Sequence, residues 1–359
     1  MNKKDFLKIR RHSQLLSGAD PKSPASVVSH FGAMQAQDYQ MAKWAIGARL
    51  KSASDRQIEQ AVDAGEIIRM HILRPTWHFV ASEDIRWMLA ISATSVLRQV
   101  NGSSRRLGLD ERTLEKSNAI IQDLLSGGIH LTRPEIMKAL SNNNIETHGH
   151  RGAHLMYHAD LSGIVCNGTR KGKENTYALL DERVPHKPAI DKEAALAELA
   201  RRYFSSHGPA SMRDFIWWSG LPVADVRTAI ALNPQLSKVT FDGEECFFVD
   251  SGLSENDPTF RMLPAFDEYM IAYKDRSAII DRQYSPHAFT NNGIFRPLIL
   301  IDGEVGGIWK VNQKKEISIE LRYFEELDLP DSDIASEMER LEKFYEKSII
   351  LKSQTCHEY

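Results

Sequence analysis

One pattern recurs three times along the chain and constrains its fold more than any other feature: short amphipathic helices, then two strands joined by a polar tip. In the first copy, apolar spacing predicts helices over residues 5–16, 24–34, 41–50 and 54–64. A run rich in β-branched and aromatic residues follows over 67–80. Pro75 interrupts it, which predicts extended structure with a corner there, and a long helix over 82–100 closes the copy. The second copy has a helix over 111–125, ended by Gly127 and Gly128, and a capping-box start at Thr132-Arg133-Pro134-Glu135. A helix over 150–161 and strands over 163–167 and 176–180 complete it, around a basic, glycine-punctuated tip. The third copy, after Pro185 and Pro188, has helices over 192–205, 211–218 and 222–232 and strands over 237–241 and 245–249 flanking Asp242-Gly243, a strong hairpin signal. Helix–turn–helix followed by a hairpin predicts an α+β protein of tandem winged-helix units. The boundaries expected are 1–109, 110–188 and 189–255, followed by a C-terminal β-rich region over 256–359. That region should hold strands near 297–301, 306–311 and 317–322, a final helix over 332–347 and a frayed tail from 352.

Composition narrows the class. With 359 residues, 42% hydrophobic and 26% charged, the chain is long enough for several packed units and too apolar to be disordered. Cys166, Cys246 and Cys356 lie far apart with no ligand spacing, which argues against a disulfide scaffold or a zinc module and fits a reducing compartment. The charged N-terminus and the absence of a long apolar run predict a cytoplasmic protein with no membrane span. His148, His150, His154 and His158 cluster without a carboxylate or cysteine to complete a metal set, so no metal is expected. The net charge of -3 is unevenly spread. Basic residues exceed acidic ones by seven over 1–109, the two balance over 110–190, and acids lead by ten over 191–359. A basic first third suits a polyanion-facing surface, and chance scatter of solvated charge is the competing explanation.

Four segments carry a more specific signal: Met34-Gln35-Ala36-Gln37-Asp38, His71-Ile72-Leu73-Arg74-Pro75-Thr76-Trp77-His78, Leu263-Pro264-Ala265-Phe266-Asp267-Glu268-Tyr269 and Lys274-Asp275-Arg276. Together they resemble the tandem winged-helix family of AlkZ-type DNA glycosylases, over nearly the whole chain. One departure is Pro75, where that family more often has glycine. The resemblance implies that Gln35 and Gln37 form the catalytic centre and that no metal or organic cofactor is needed. It also implies that N7-alkylated guanines in double-stranded DNA are released and interstrand crosslinks unhooked. A monomer is expected.

The chemistry is coherent for that substrate. Glycosidic cleavage ordinarily takes one carboxylate to protonate the leaving group and another to guide water. An N7-alkylated purine is already cationic and departs as a neutral base, so two amides that orient water suffice. In extended chain, residues at i and i+2 face one side, which would aim Gln35 and Gln37 at one water and turn Asp38 away. Spacing alone favours two amides that cap the preceding helix or bond loop backbone, and it is the resemblance that favours catalysis. Arg69, Arg74, Trp77 and His78 are candidate DNA contacts in the basic third. Arg170, Lys171 and Lys173, on the tip of the second copy, are candidates of the same kind. Core packing of Trp77 and His78, solvation of the arginines and a merely solvated tip are the alternatives. Phe266–Tyr269 and Lys274–Arg276 are expected to lock the C-terminal region onto the helices. A DNA-binding regulator without catalysis is the competing function; three units in one chain fit it poorly, because operator symmetry calls for dimers.

Overall fold

Among the described residues, four capping boxes fix where helices begin: Ser23 with Ser26, Ser54 with Gln57, Thr132 with Glu135, and Ser211 with Asp214. The computed structural model describes residues 1–359 except 19, 187, 251, 253–258, 314, 315, 327, 328 and 357–359. A leading helix α1 (Lys3–Ser13) precedes the first unit: α2 (Pro24–Phe31), β1 (Ala33–Gln35), α3 (Tyr39–Gly47), α4 (Asp55–Asp63), β2 (Ile67–Ile72) and β3 (Arg74–Ala81). A long helix α5 (Ile85–Arg106) leads to the second: α6 (Glu111–Leu125), β4 (Leu131–Thr132), α7 (Arg133–Asn142), α8 (Arg151–Leu161), β5 (Val165–Asn167) and β6 (Thr176–Leu179). After the short α9 (Leu180–Arg183) come α10 (Lys192–His207), β7 (Ala210–Ser211), α11 (Met212–Ser219), α12 (Val223–Ala231), β8 (Ser237–Phe241) and β9 (Glu244–Phe248). The C-terminal part holds β10 (Phe260–Leu263), α13 (Glu268–Ile271), α14 (Ser285–Ala288), β11 (Leu298–Ile301), β12 (Glu304–Gln313), β13 (Ile317–Tyr323), α15 (Asp331–Tyr345) and β14 (Ile349–Cys356).

The three recurring units share one topology. Each three-stranded sheet runs in the order first, third, second: β1-β3-β2, β4-β6-β5 and β7-β9-β8. The first strand of each sheet is two or three residues long, and the sequence pattern missed all three. One of these omissions matters for the site. The helix expected over 24–34 stops at Phe31, because Gly32 takes a left-handed φ of 75°, and Ala33–Gln35 then pair with Val80–His78 of β3. The corner expected at Pro75 is also displaced: the turn falls at Leu73, with φ of 60°. Pro75 sits in a bulge, where the register jumps from His71↔Trp77 to Ile72↔Arg74, so its missing N–H breaks no ladder bond.

The C-terminal region is a five-stranded sheet, β10-β11-β12-β13-β14, antiparallel except for the parallel β13–β14 pair. Its last strand corrects the expected fraying from 352 as far as Cys356, where the chain still pairs; residues 357–359 of that tail and the expected boundary at 255/256 lie outside the described residues. Buried side chains join the parts. Val28, Phe31 and Trp44 share a core with Met262, Trp309, Ile319 and Phe344, so the first unit is completed by the C-terminal sheet and α15. Ile68, Met70 and Val80 on the opposite side pack with Tyr203, Phe204 and Trp218 of the third unit. The second unit encloses its own core.

Candidate active site

β1 ends on Gln35, and the chain around it is pinned. The Gln35 N–H, on the free edge of its sheet, donates to Glu268 Oε1 at 2.7 Å. The Ala36 N–H donates to the Trp77 carbonyl at 2.7 Å. The Ala36 carbonyl accepts from Arg69 Nε at 3.1 Å and Arg69 Nη2 at 2.9 Å. The chain then bends at Gln37 and enters α3, whose first N–H groups, from Gln40 and Met41, are capped by Asp38 Oδ1. Gln35 is half-buried, its Oε1 3.4 Å from Arg74 Nη2. Gln37 is exposed, and its side chain has no hydrogen-bond partner among the described residues. Neither amide caps α2, which Gly32 terminates. The pair therefore flanks a buried residue held at both its N–H and its carbonyl.

Behind Gln35 lies a polar cluster that sequence reasoning did not assign to the site. Glu268, at the start of α13, is 1% exposed; its Oε2 accepts from Trp218 Nε1 at 3.0 Å and His207 Nε2 at 3.3 Å. Burial opposes its charge, but the bonds from His207 and the Gln35 N–H and the Arg74 guanidinium outweigh it and hold the carboxyl below its usual range. Its neighbour Asp267 faces the other way, in a fully buried bidentate pair with Arg49 at 2.8 Å. Phe266–Tyr269 thus does tie the C-terminal region to the helices, and one of its two carboxylates also touches the Gln-x-Gln strand. The available signal was a pair of acids inside an otherwise apolar stretch, which marks charges bound for the interior.

The other candidates scatter between this cluster and the surface. His78 is fully buried; burial and the Arg74 charge push its pKa down to about 3, so it is neutral. Its Nδ1–H donates to the Thr76 carbonyl at 2.9 Å, leaving Nε2 to accept from Arg74 Nη2 at 3.4 Å. Trp77 packs against both the Arg69 guanidinium, 4.4 Å from its ring centre, and the His71 ring at 3.9 Å. Arg69 is turned inward by its bonds to Ala36. Arg170 folds back onto the first unit, pairing with Glu59 at 3.2 Å beside Tyr39, whose hydroxyl donates to the same carboxylate. Lys171 is exposed and pairs with Glu135, and Lys173 is exposed with no side-chain partner among the described residues. His154 and His158 bond to Ser104 and Asn118, away from the Gln-x-Gln segment.

A repeated helix-and-sheet scaffold holding an amide pair over a buried carboxylate is the setting in which the comparisons with known proteins fall, and they define the class: residues 28–344 match the profile of the DNA glycosylase AlkZ-like family. The chain belongs to that family, which makes it a DNA glycosylase of DNA repair with DNA as its partner. Among solved structures, the Streptomyces sahachiroi DNA glycosylase AlkZ superposes with a TM-score of 0.82, covering 99% of this chain and 100% of its own, at 18% sequence identity. The two share a fold from end to end. No curated protein matches the sequence. Among the described residues, no helix is long and apolar enough to cross a membrane.

Proposed function

We propose that this chain hydrolyses the N-glycosidic bond of N7-alkylated guanines in duplex DNA, acting as a monomer and a monofunctional glycosylase, and that bulky N7 adducts, including interstrand crosslinks, are accepted. Each recurring unit is read as a winged helix that grips the duplex. The observation that carries the proposal is the pair of neutral amides on either side of the pinned Ala36, with Gln37 open to solvent. Gln35 and Gln37 orient a water toward C1′, and their carbonyl dipoles face the developing oxocarbenium ion. The water oxygen bonds to C1′ and the C1′–N9 pair of electrons passes to the base. That pair cancels the cationic charge of the imidazolium ring, and the water's proton leaves to solvent.

Asp38 and Glu268 support this assignment by being occupied: Asp38 caps α3, and Glu268 is sealed behind Gln35. A neutral leaving base would need an acid to protonate it, and each tenfold in rate is worth about 1.4 kcal/mol of barrier. The test is single-turnover release from a duplex carrying one N7-methylguanine, set beside a uracil or hypoxanthine duplex. Gln35→Ala and Gln37→Ala should each slow release by about 100-fold with DNA affinity nearly unchanged. Wild-type rates in both variants, or comparable wild-type release of uracil, would overturn the proposal; DNA binding with no release would favour a regulator.

A further inference from the structure

The residue between Gln35 and Gln37 is held by a side chain from another strand, and that strand is braced by the second unit. Arg69, on β2, places two of its nitrogens on one acceptor, the Ala36 carbonyl, at 3.1 and 2.9 Å. Its guanidinium lies over the Trp77 ring at 4.4 Å and beside Tyr39 at 5.4 Å. Trp77 also meets the His71 ring, at 3.9 Å, and His71 packs at a tilt against Tyr157 of α8 at 4.3 Å. His71 Nδ1 bonds to Asp160 Oδ2, also on α8, at 2.6 Å. On the backbone side, the Arg69 N–H donates to Asn167 Oδ1 of β5 at 2.7 Å. Two independent routes therefore run from the second unit to Arg69, and from Arg69 to the residue between the two amides.

We infer that Arg69 is a positioning residue for the Gln35–Gln37 pair: it fixes the Ala36 carbonyl and with it the angle between the two amides, and the second unit holds Arg69 in place. This rests on the proposed role of that pair. A guanidinium used in this way is not a phosphate contact. The planar group fits a flat ring below and a carbonyl in its plane, and an ammonium cannot reproduce both. Misplacing a reacting group by about 1 Å costs on the order of 100-fold in rate.

The experiment compares wild type, Arg69→Ala, Arg69→Lys and Asn167→Ala. It measures the single-turnover rate constant at saturating N7-methylguanine duplex, the Kd and its salt slope on undamaged duplex, and the thermal midpoint. Arg69→Ala should lose about 100-fold in rate with Kd within about twofold and the salt slope unchanged, and Arg69→Lys should stay more than about tenfold down. Asn167→Ala leaves the guanidinium in place and frees only its backbone; it should lose about fivefold in the same rate constant, which keeps the test open if Arg69→Ala fails to fold. An affinity loss with a salt slope lowered by about one unit would make Arg69 a phosphate contact and overturn the inference. Full rescue by lysine, or unchanged rates throughout, would overturn it as well. A wild type that releases no N7-methylguanine, or that matches Gln37→Ala, brings down the amide-pair proposal itself and is told apart because it needs no Arg69 variant.

Discussion

Glu268 carries a negative charge with 1% of its surface exposed, and such a charge costs several kcal/mol unless it is compensated. Here three N–H donors, from Gln35, His207 and Trp218, converge on its two oxygens, with Arg74 supplying the opposite charge. Glu268→Gln keeps the shape but turns an NH2 group toward at least one of those donors, and it leaves Arg74 without its counter-charge. The expected loss is about 3 kcal/mol, seen as a lower urea midpoint at unchanged slope. The pH dependence has a definite sign. The folded pKa lies below the unfolded value of about 4.3, so the stabilisation is present in full above that pH and is lost as pH falls through the folded pKa. The gap between wild type and Glu268→Gln should be constant from pH 7 to about 5 and shrink below about 4.3; a gap as large at pH 3 as at pH 5 would contradict the assignment. The amide pair was visible as a motif, whereas Glu268 was not, because its partners lie 50 to 233 positions away and only the folded chain joins them. Arg69 was read as a surface cation for the same reason: nothing local says that its strand faces a carbonyl.

Short strands and tight turns carry the site at the scale of elements, and there the periodic signal fails. Most helices of eight or more residues were legible to within a turn because they repeat an apolar face, although α5 runs on to Arg106, past its expected end at 100. The helices α9, α13 and α14 are single turns and were missed, and β1, β4 and β7 are too short to show alternation and exist through pairing. The hairpin of β2 and β3 shows the consequence. It brings Arg69, Arg74, Trp77 and His78 to the Gln-x-Gln segment, and its turn residue Leu73 rests on the end of α11. Gly220 caps that helix with φ of 65°, and a Cβ built there would lie 2.6 Å from the Leu73 carbonyl oxygen. Gly220→Ala therefore combines a left-handed alanine with a clash against backbone, for an expected loss of about 2 kcal/mol or more. Because the hairpin must move to relieve the clash, base release should slow as well. A denaturant melt and the single-turnover assay check the two effects, and a variant as stable and as fast as wild type would show that the contact does not set the hairpin's position.

Across the whole molecule, the three sequence copies are not equivalent in how they are held. The first and third units share buried side chains with each other and the first with the C-terminal sheet, so Phe31, Trp44, Trp218 and Trp309 lie in cores that no single unit closes. The second unit is different: Leu109, Ile121, Leu125, Ile136, Leu140, Leu155, Val165 and Leu179 pack on one another, with Trp77 reaching in from outside. A unit with its own core can open without dragging the others apart, whereas loss of β13 or α15 strips the first unit. Native-state hydrogen exchange should then resolve two levels of protection. Amides of α6 and α7 should exchange through a sub-global opening at lower free energy, and those of α2, α10 and β13 should exchange only with global unfolding. Because Asn167 and Asp160 belong to the unit that opens first, that opening would also release Arg69 and the residue between the amides. Asn167→Ala should consequently lower protection in α6–α8 and leave α10 unchanged. A single protection level across all five helices and strands would mean that the second unit is bound into the common core after all.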